Sequence, residues 1–270
     1  MNPTPQTALC RYSETAVHYR DADLVGDLLG QRSFVEVFML QAFGIELDAG
    51  QRRIVDAVLV TLMEHGMTPS VIAARMVYSS SPENLQAGVA AGLLAVASRF
   101  VGTMEPAAEL LDRLVAATAQ GPDAARAEAQ AIAAEHRARR EPVPGFGHHL
   151  HKPDDPRALA LLQLAREVGR HGPRCAALEL LAQAVDAAAG RHITINATGA
   201  VAALLGDIGI PVRLMRGFAV LSRAAGLVAH IAEEQRDPSL RFIWDLVDRS
   251  MSPGEAPPAS LASPASKPAA

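Results

Sequence analysis

From Asp21 to Met251 the chain divides into helix-length segments in which Ala and Leu dominate, alternation of β-branched residues is scarce, and Gly or Pro breaks one segment from the next. This patterning predicts an all-α fold with helices near 32–44, 50–65, 69–78, 83–100, 105–119, 122–139, 156–170, 174–189, 195–205, 211–234 and 239–249. Many of these segments are rich in Ala and Gly, which lets helices approach closely. No fixed-period repeat runs through the chain, which argues against a helical solenoid. Residues Ser252 to Ala270 are almost wholly Pro, Ala, Ser and Gly and read as a disordered tail. The first twenty or so residues are weakly patterned and read as a dimer arm or a loose segment.

Composition narrows the classes. A length of 270 residues with 49% hydrophobic content suffices for one large domain or two small ones around a buried core. A net charge of −4 without long runs of like charge, and an aromatic content of 4%, argue against a nucleic-acid partner. Cys10 and Cys175 cannot form a disulfide framework or a cysteine-rich zinc site, so a reducing compartment fits. Met1 to Tyr19 lacks an apolar core of signal-peptide type. Pro211 to Ile231 comes nearest to a membrane span but is interrupted by Arg213, Arg216 and Arg223. The expectation is a cytoplasmic protein with no membrane partner.

The candidate chemistry concentrates in Pro142 to Arg157, which packs glycines, His148, His149, His151, Lys152 and Arg157 into one loop. Asp155 followed by Pro156 fits a helix N-cap and first helical residue, which places Arg157 in a first turn beside free backbone N–H groups. A cation there makes an anion trap, so an anionic substrate is expected. His148, between Gly147 and His149, is free to reach a ligand. His65 precedes Gly66 at the end of a predicted helix, where a histidine also serves simply to complement the helix dipole. The three loop histidines have no Asp, Glu or Cys at usual ligand spacing on a helix, and no metal is expected. Arg216, Arg223 and His230 recur every seven residues and share one face of the 211–234 helix, where they either meet an anion or pair with acids elsewhere.

Four motifs in order resemble the citrate synthase superfamily: His65-Gly66, the Pro144-Gly145-Phe146-Gly147-His148 loop running on to Arg157, Ile195-Asn-Ala-Thr-Gly-Ala200, and Arg216 through Arg223 to His230. The similarity runs from about Leu24 to Asp248 and is greatest to short citryl-CoA lyase-like members and the C-terminal module of ATP-citrate lyase. The resemblance implies a large helical domain of residues 1–103 and 201–251, a smaller one of 104–200, and a homodimer. It implies CoA-dependent carbon–carbon chemistry: cleavage of citryl-CoA or a related thioester, condensation of an acyl-CoA with a 2-oxo acid, or CoA and polycarboxylate binding without catalysis. By resemblance, His65 and His148 polarise the polycarboxylate's hydroxyl or carbonyl oxygen. Arg157, Arg223 and Arg241 match carboxylate clamps, with Arg216 a further substrate-binding cation, and Pro144, Gly145, Phe146, Gly147 and Lys152 border CoA. No permanently bound cofactor is implied; the CoA thioester is a substrate.

Two positions depart from the family pattern. The Asn-Val-Asp turn, whose aspartate moves the α-carbon proton, reads Asn196-Ala197-Thr198, and a threonine hydroxyl is a negligible base near neutral pH. The histidine that contacts the thioester oxygen has no match, and Val101 to Glu105 occupies its segment. The expectation is therefore that Glu105 replaces the missing carboxylate while Thr198 orients the substrate, with Glu64 competing for the role. The chain carries no Gly-x-x-x-x-Gly-Lys loop for ATP-driven activation.

Overall fold

The residues that punctuate the sequence also start and stop its helices. The computed structural model describes residues 6–96 and 102–251, and among these eleven α-helices carry the fold. They are α1 (Phe34–Phe43), α2 (Ala49–Met63), α3 (Pro69–Ser80), α4 (Leu85–Val96), α5 (Met104–Thr118), α6 (Pro122–Arg139), α7 (Pro156–Glu167), α8 (Pro173–Ala189), α9 (Ala197–Ile208), α10 (Val212–Arg236) and α11 (Leu240–Ser250). Each corresponds to a helix expected from the sequence; the end of the expected 83–100 helix and the expected disordered tail lie outside the described residues. Proline occupies the first turn of α3, α6, α7 and α8, where its missing N–H costs nothing. Reciprocal capping boxes open α1, from Ser33 and Glu36, and α2, from Asp48 and Gln51.

The N-terminal segment is more regular than its sequence suggests. Residues 10–23 form an antiparallel meander of β1 (Cys10–Tyr12), β2 (Val17–Tyr19) and β3 (Ala22–Asp23), with Cys10 opposite Tyr19 and His18 opposite Asp23. A π-helical turn, Leu24–Leu28, follows. Strands of two or three residues are too short for side-chain alternation to register, which is why the pattern reads as featureless.

Helices α5, α6, α8 and α9 pack on one another, as do α2, α3, α4 and α10; a continuous apolar core from Met39 and Ile54 through Leu111 and Leu178 to Leu204 and Phe218 joins α2 and α10 to the first group, while Val71, Ala74 and Leu227 form a separate small cluster between α3 and α10. Its central element is α9, whose residues from Gly199 to Gly206 are all buried. Helix α10 is long and apolar enough to cross a membrane by length and composition, yet here it is an inner helix that buries Met215, Phe218, Leu227 and Ile231 against its neighbours. A charged cluster ties α10 to α3: Arg75 Nη1 lies 3.0 Å from Glu234 Oε2, both side chains almost wholly buried. Ser79 Oγ and the Ser239 amide complete the Glu234 carboxylate at 2.8 and 2.7 Å, so this buried charge is paired and hydrogen-bonded.

The element that positions the candidate site is the contact between the 142–155 loop and the start of α9. Phe146 and Ile195 form an antiparallel bridge, with Gly147 N donating to Thr194 O at 2.7 Å and Asn196 N to Gly145 O at 3.0 Å. Gly145, at φ 89°, and Gly199 meet backbone to backbone; a Cβ on Gly199 would stand 2.5 Å from the Gly145 oxygen. Gly199→Ala is therefore expected to push the loop off α9, with a stability loss of about 1–3 kcal/mol read by denaturant unfolding.

Candidate active site

His148 follows directly from that bridge and is carried to the N-terminus of α9, whose N-cap Asn196 accepts from Gly199 N at 3.1 Å and donates from Nδ2 to Gly147 O at 3.0 Å. The same turn that caps α9 thus holds the histidine loop, and Thr198 sits in the first turn beside it. The His148 ring is fixed from behind: Leu150 N and His151 N donate to Nδ1 at 3.1 and 3.0 Å. With Nδ1 accepting, the neutral ring carries its proton on Nε2 and presents a donor.

Asp155 does more than the N-cap role its sequence context predicts. Its side chain accepts from Arg157 N at 3.0 Å, which is the expected cap of α7, and also from Ala197 N at 3.1 Å, in the first turn of α9. Its two oxygens meanwhile grip the Arg157 guanidinium, Oδ1 to Nε at 3.0 Å and Oδ2 to Nη2 at 2.8 Å. The carboxylate is fully buried. Burial opposes its charge, but the hydrogen bonds from the Arg157 side chain and amide outweigh it and hold the carboxyl below the usual carboxylate range. Arg157 is in consequence aimed, with Nη1 3.4 Å from His65 Nδ1 and Nη2 3.4 Å from His148 Nε2.

These groups open onto a cleft of about 380 Å³ whose walls include His65, His148, His149, Arg157, Thr198 and Arg223. His65 is just beyond α2, which ends at Met63; Glu64 is extended and Gly66 takes φ 73°. The expected helical position for His65 is corrected accordingly: it stands in the turn after α2 and lines the cleft. Burial first, then Arg157 and Arg223, push its pKa below the ordinary imidazole value, and burial followed by His151 does the same for His148. Both rings are therefore neutral at neutral pH. Arg223 enters from the middle of α10 with Nη1 buried and without a hydrogen-bond partner among the described residues, and burial lowers its pKa against the pull of Glu64. An unmatched guanidinium edge in a cleft beside a second arginine is a site built for an anion.

The other expected residues fall differently. Glu105 does not line the cleft; its carboxylate is taken by Arg216, so these two neutralise one another at the base of α5 and α10. Glu64 does line it, but Oε1 accepts from the His65 and Gly66 amides at 2.8 and 2.6 Å and Oε2 lies 2.8 Å from His230 Nε2. Burial resists its charge, yet the hydrogen bonds from His230 and those two amides prevail and depress its pKa. His230 is thus a link between Glu64 and the Arg75 cluster, with Arg75 Nη2 2.8 Å from its Nδ1. Arg241 is 81% exposed on α11 and paired with Asp245, away from the cleft of its own chain. His148, His151 and Asp155 bring ligand atoms within 4.8 Å of one another, but the Asp155 oxygens already hold Arg157 and Ala197 N, so a cation would enter only by displacing that arginine.

Beside the cleft lies a second cavity of about 670 Å³, and Gly147 and His148 form a wall of both. Of the loop residues singled out in the sequence, Phe146, Gly147 and Lys152 line it, whereas Pro144 and Gly145 do not; Gly145 is spent on the contact with α9. Sequence reasoning missed the cations on its rim, Arg137 from α6 and Arg191 from the turn after α8, and the buried His136, whose Nδ1 has no partner among the described residues. It also missed His192, which bridges Asp186 at 2.8 Å and Asp154 at 2.9 Å and is held above its ordinary pKa by them. The basic run Arg191-His192 ahead of the Asn196 turn was the available signal.

Residues 7–243 match the family model described as citrate synthase, C-terminal domain. The chain belongs to the citrate synthase family. Among solved structures it is similar to the citryl-CoA lyase of Hydrogenobacter thermophilus, at 30% identity and TM-score 0.82, over 95% of this chain and 96% of that one. The ATP citrate lyase of Methanothrix soehngenii, solved with citrate and coenzyme A, shares the fold at 22% identity and TM-score 0.72, over 87% of this chain and 39% of that one. The citrate synthase of Acidithiobacillus ferridurans is 26% identical over 208 residues, 74% of this chain and 51% of the relative. This citrate synthase family member spans about half the length of the curated relatives it matches.

Proposed function

We propose that this family member is a CoA-dependent carbon–carbon lyase of citryl-CoA type, cleaving citryl-CoA or a related hydroxy-polycarboxyl thioester to acetyl-CoA and a 2-oxo dicarboxylate such as oxaloacetate. The observation that carries the reading is the convergence of Arg157, Arg223 and the His65 and His148 imidazoles on a cleft that shares its His148 wall with a larger, cation-rimmed cavity. Likeness to a citryl-CoA lyase over nearly the full length of both chains supports the same reading. The polycarboxylate occupies the cleft between the two arginines, and CoA lies in the larger cavity with its phosphates toward Arg137, Lys152 and Arg191.

In cleavage, His65, kept neutral by burial and its cationic neighbours, accepts the proton of the tertiary hydroxyl. His148 donates from Nε2 to the same oxygen as it becomes a carbonyl, its ring locked by the amides on Nδ1. The bond between carbinol and α-carbon breaks, and its electron pair leaves as the thioester enolate. In this reading residues 104–200 form the smaller lobe that closes over CoA, and the chain acts as a homodimer, in which Arg241 serves a neighbouring copy's cleft.

Three measurements decide among the family's options. Citryl-CoA is expected to yield oxaloacetate, followed by a coupled malate dehydrogenase assay, with no free thiol. Thiol release from acetyl-CoA and oxaloacetate would instead make the chain a citrate synthase, and calorimetric binding of CoA without turnover would make it a binding homologue. Arg223→Leu is expected to leave the chain at least as resistant to thermal unfolding, because it removes an unmatched buried charge edge. It should also weaken citrate binding about 10- to 100-fold, the worth of a charge-assisted hydrogen bond.

A further inference from the structure

A carbanion leaving the cleaved bond needs a proton, and among the described residues no carboxylate near the cleft is free to supply one. Glu64 is held by His230 and two amides. Glu105 is paired with Arg216 and does not line the cleft. Asp155 is buried beneath Arg157 with both oxygens engaged. Residues 97–101, between α4 and α5, read Ala-Ser-Arg-Phe-Val and include no acid. Thr198 stands where the family's aspartate is expected and cannot act as a base.

One proton-carrying side chain in the cleft is uncommitted. His149 lines the same walls as Thr198 and His65, and its side chain makes no hydrogen bond or ion pair among the described residues. Its ring stacks on His148 at a centroid distance of 4.7 Å and stands 6.4 Å from His65 at 84°. The groups that share the cleft with it are His65, His148, Glu64, Arg157 and Arg223. An imidazole both gives and takes a proton near neutral pH, which the hydroxyl of Thr198 does not.

We propose that His149 is the acid–base group for the thioester α-carbon, in place of the carboxylate that Thr198 has replaced. The proposal rests on the lyase reading above. In cleavage, the hydroxyl proton passes to His65, the carbon–carbon pair becomes the enolate, and the His149 imidazolium gives its proton to that carbon to form the acetyl methyl group. Solvent then returns a proton to His149 and removes one from His65. In the reverse direction neutral His149 takes the α-proton, and the enolate adds to the oxo carbon.

The test is incorporation of deuterium into the methyl group of acetyl-CoA in D₂O, with malate filling the dicarboxylate cleft, read by mass spectrometry. Wild type, His149→Ala, Thr198→Asp and the double variant are compared, with CoA affinity measured by calorimetry. His149→Ala is expected to slow exchange at least about 100-fold with CoA affinity retained. The double variant should recover exchange, because it restores the family's carboxylate. Exchange by His149→Ala at the wild-type rate overturns the proposal while leaving the lyase reading intact. So does a loss that Thr198→Asp fails to restore, which would assign His149 to holding the loop. A wild-type chain that neither exchanges acetyl-CoA nor cleaves citryl-CoA overturns both.

Discussion

Asp155→Ala is expected to cost about 3–5 kcal/mol of folding stability and to remove turnover with it. The side chain joins the first turn of α7 and its Arg157 guanidinium to the first turn of α9 at Ala197, 42 residues on in the sequence. Alanine strips both helix starts of an acceptor and leaves Arg157, only 28% exposed, without its counter-charge. Denaturant unfolding measures the first loss and the coupled cleavage assay the second. Asp155→Asn separates charge from shape, since it keeps an acceptor while breaking the ion pair. The pH dependence follows from the depressed carboxyl. The unfolded chain binds the proton first as pH falls, so the pair's stabilisation is fully present above the ordinary aspartate value of 3.8 and is lost as pH drops through the folded value. The acid limb of the stability curve is expected to flatten in Asp155→Asn, and an unchanged limb would remove Asp155 from this role.

His148→Ala should leave stability and CoA affinity near wild type and lower kcat for citryl-CoA cleavage about 10²–10³-fold. The ring is partly exposed and lies outside the apolar core, so removing it empties a place in the cleft without opening the core. What disappears, on the proposed lyase reading, is an Nε2 donor whose ring the Leu150 and His151 amides already orient. His148→Gln offers an amide donor at similar reach and is expected to retain part of the rate. A loss of CoA affinity equal to the loss of rate would reassign His148 to the wall of the larger cavity.

The parts of this site that were legible in the sequence are the local ones. Asp155-Pro156 announces a helix start because capping is decided within three residues, and the helix begins there. The glycine-flanked His148 announces exposure to a ligand for the same reason. What was not legible depends on partners far along the chain. Glu105 reads as a spare carboxylate in the sequence, but Arg216, more than a hundred residues later, holds it. Glu64 reads as equally spare, but His230 and two amides occupy it. Arg216, Arg223 and His230 share a helix face, as the spacing requires, yet of the three only Arg223 lines the cleft. Periodicity orders side chains around one axis and is silent about what stands opposite.

The joint between Gly145 and Gly199, with the bridge from Phe146 to Ile195, is made of main chain alone. The distance from the histidine loop to the first turn of α9 is then set by this main-chain contact together with the Asn196 and Asp155 side chains, whatever side chain position 198 carries. Such a joint is a socket: the residue plugged into it can be exchanged over generations without retuning the rest of the pocket. Exchanging the residue at 198 therefore changes the chemistry offered to the cleft without moving Arg157 or His148.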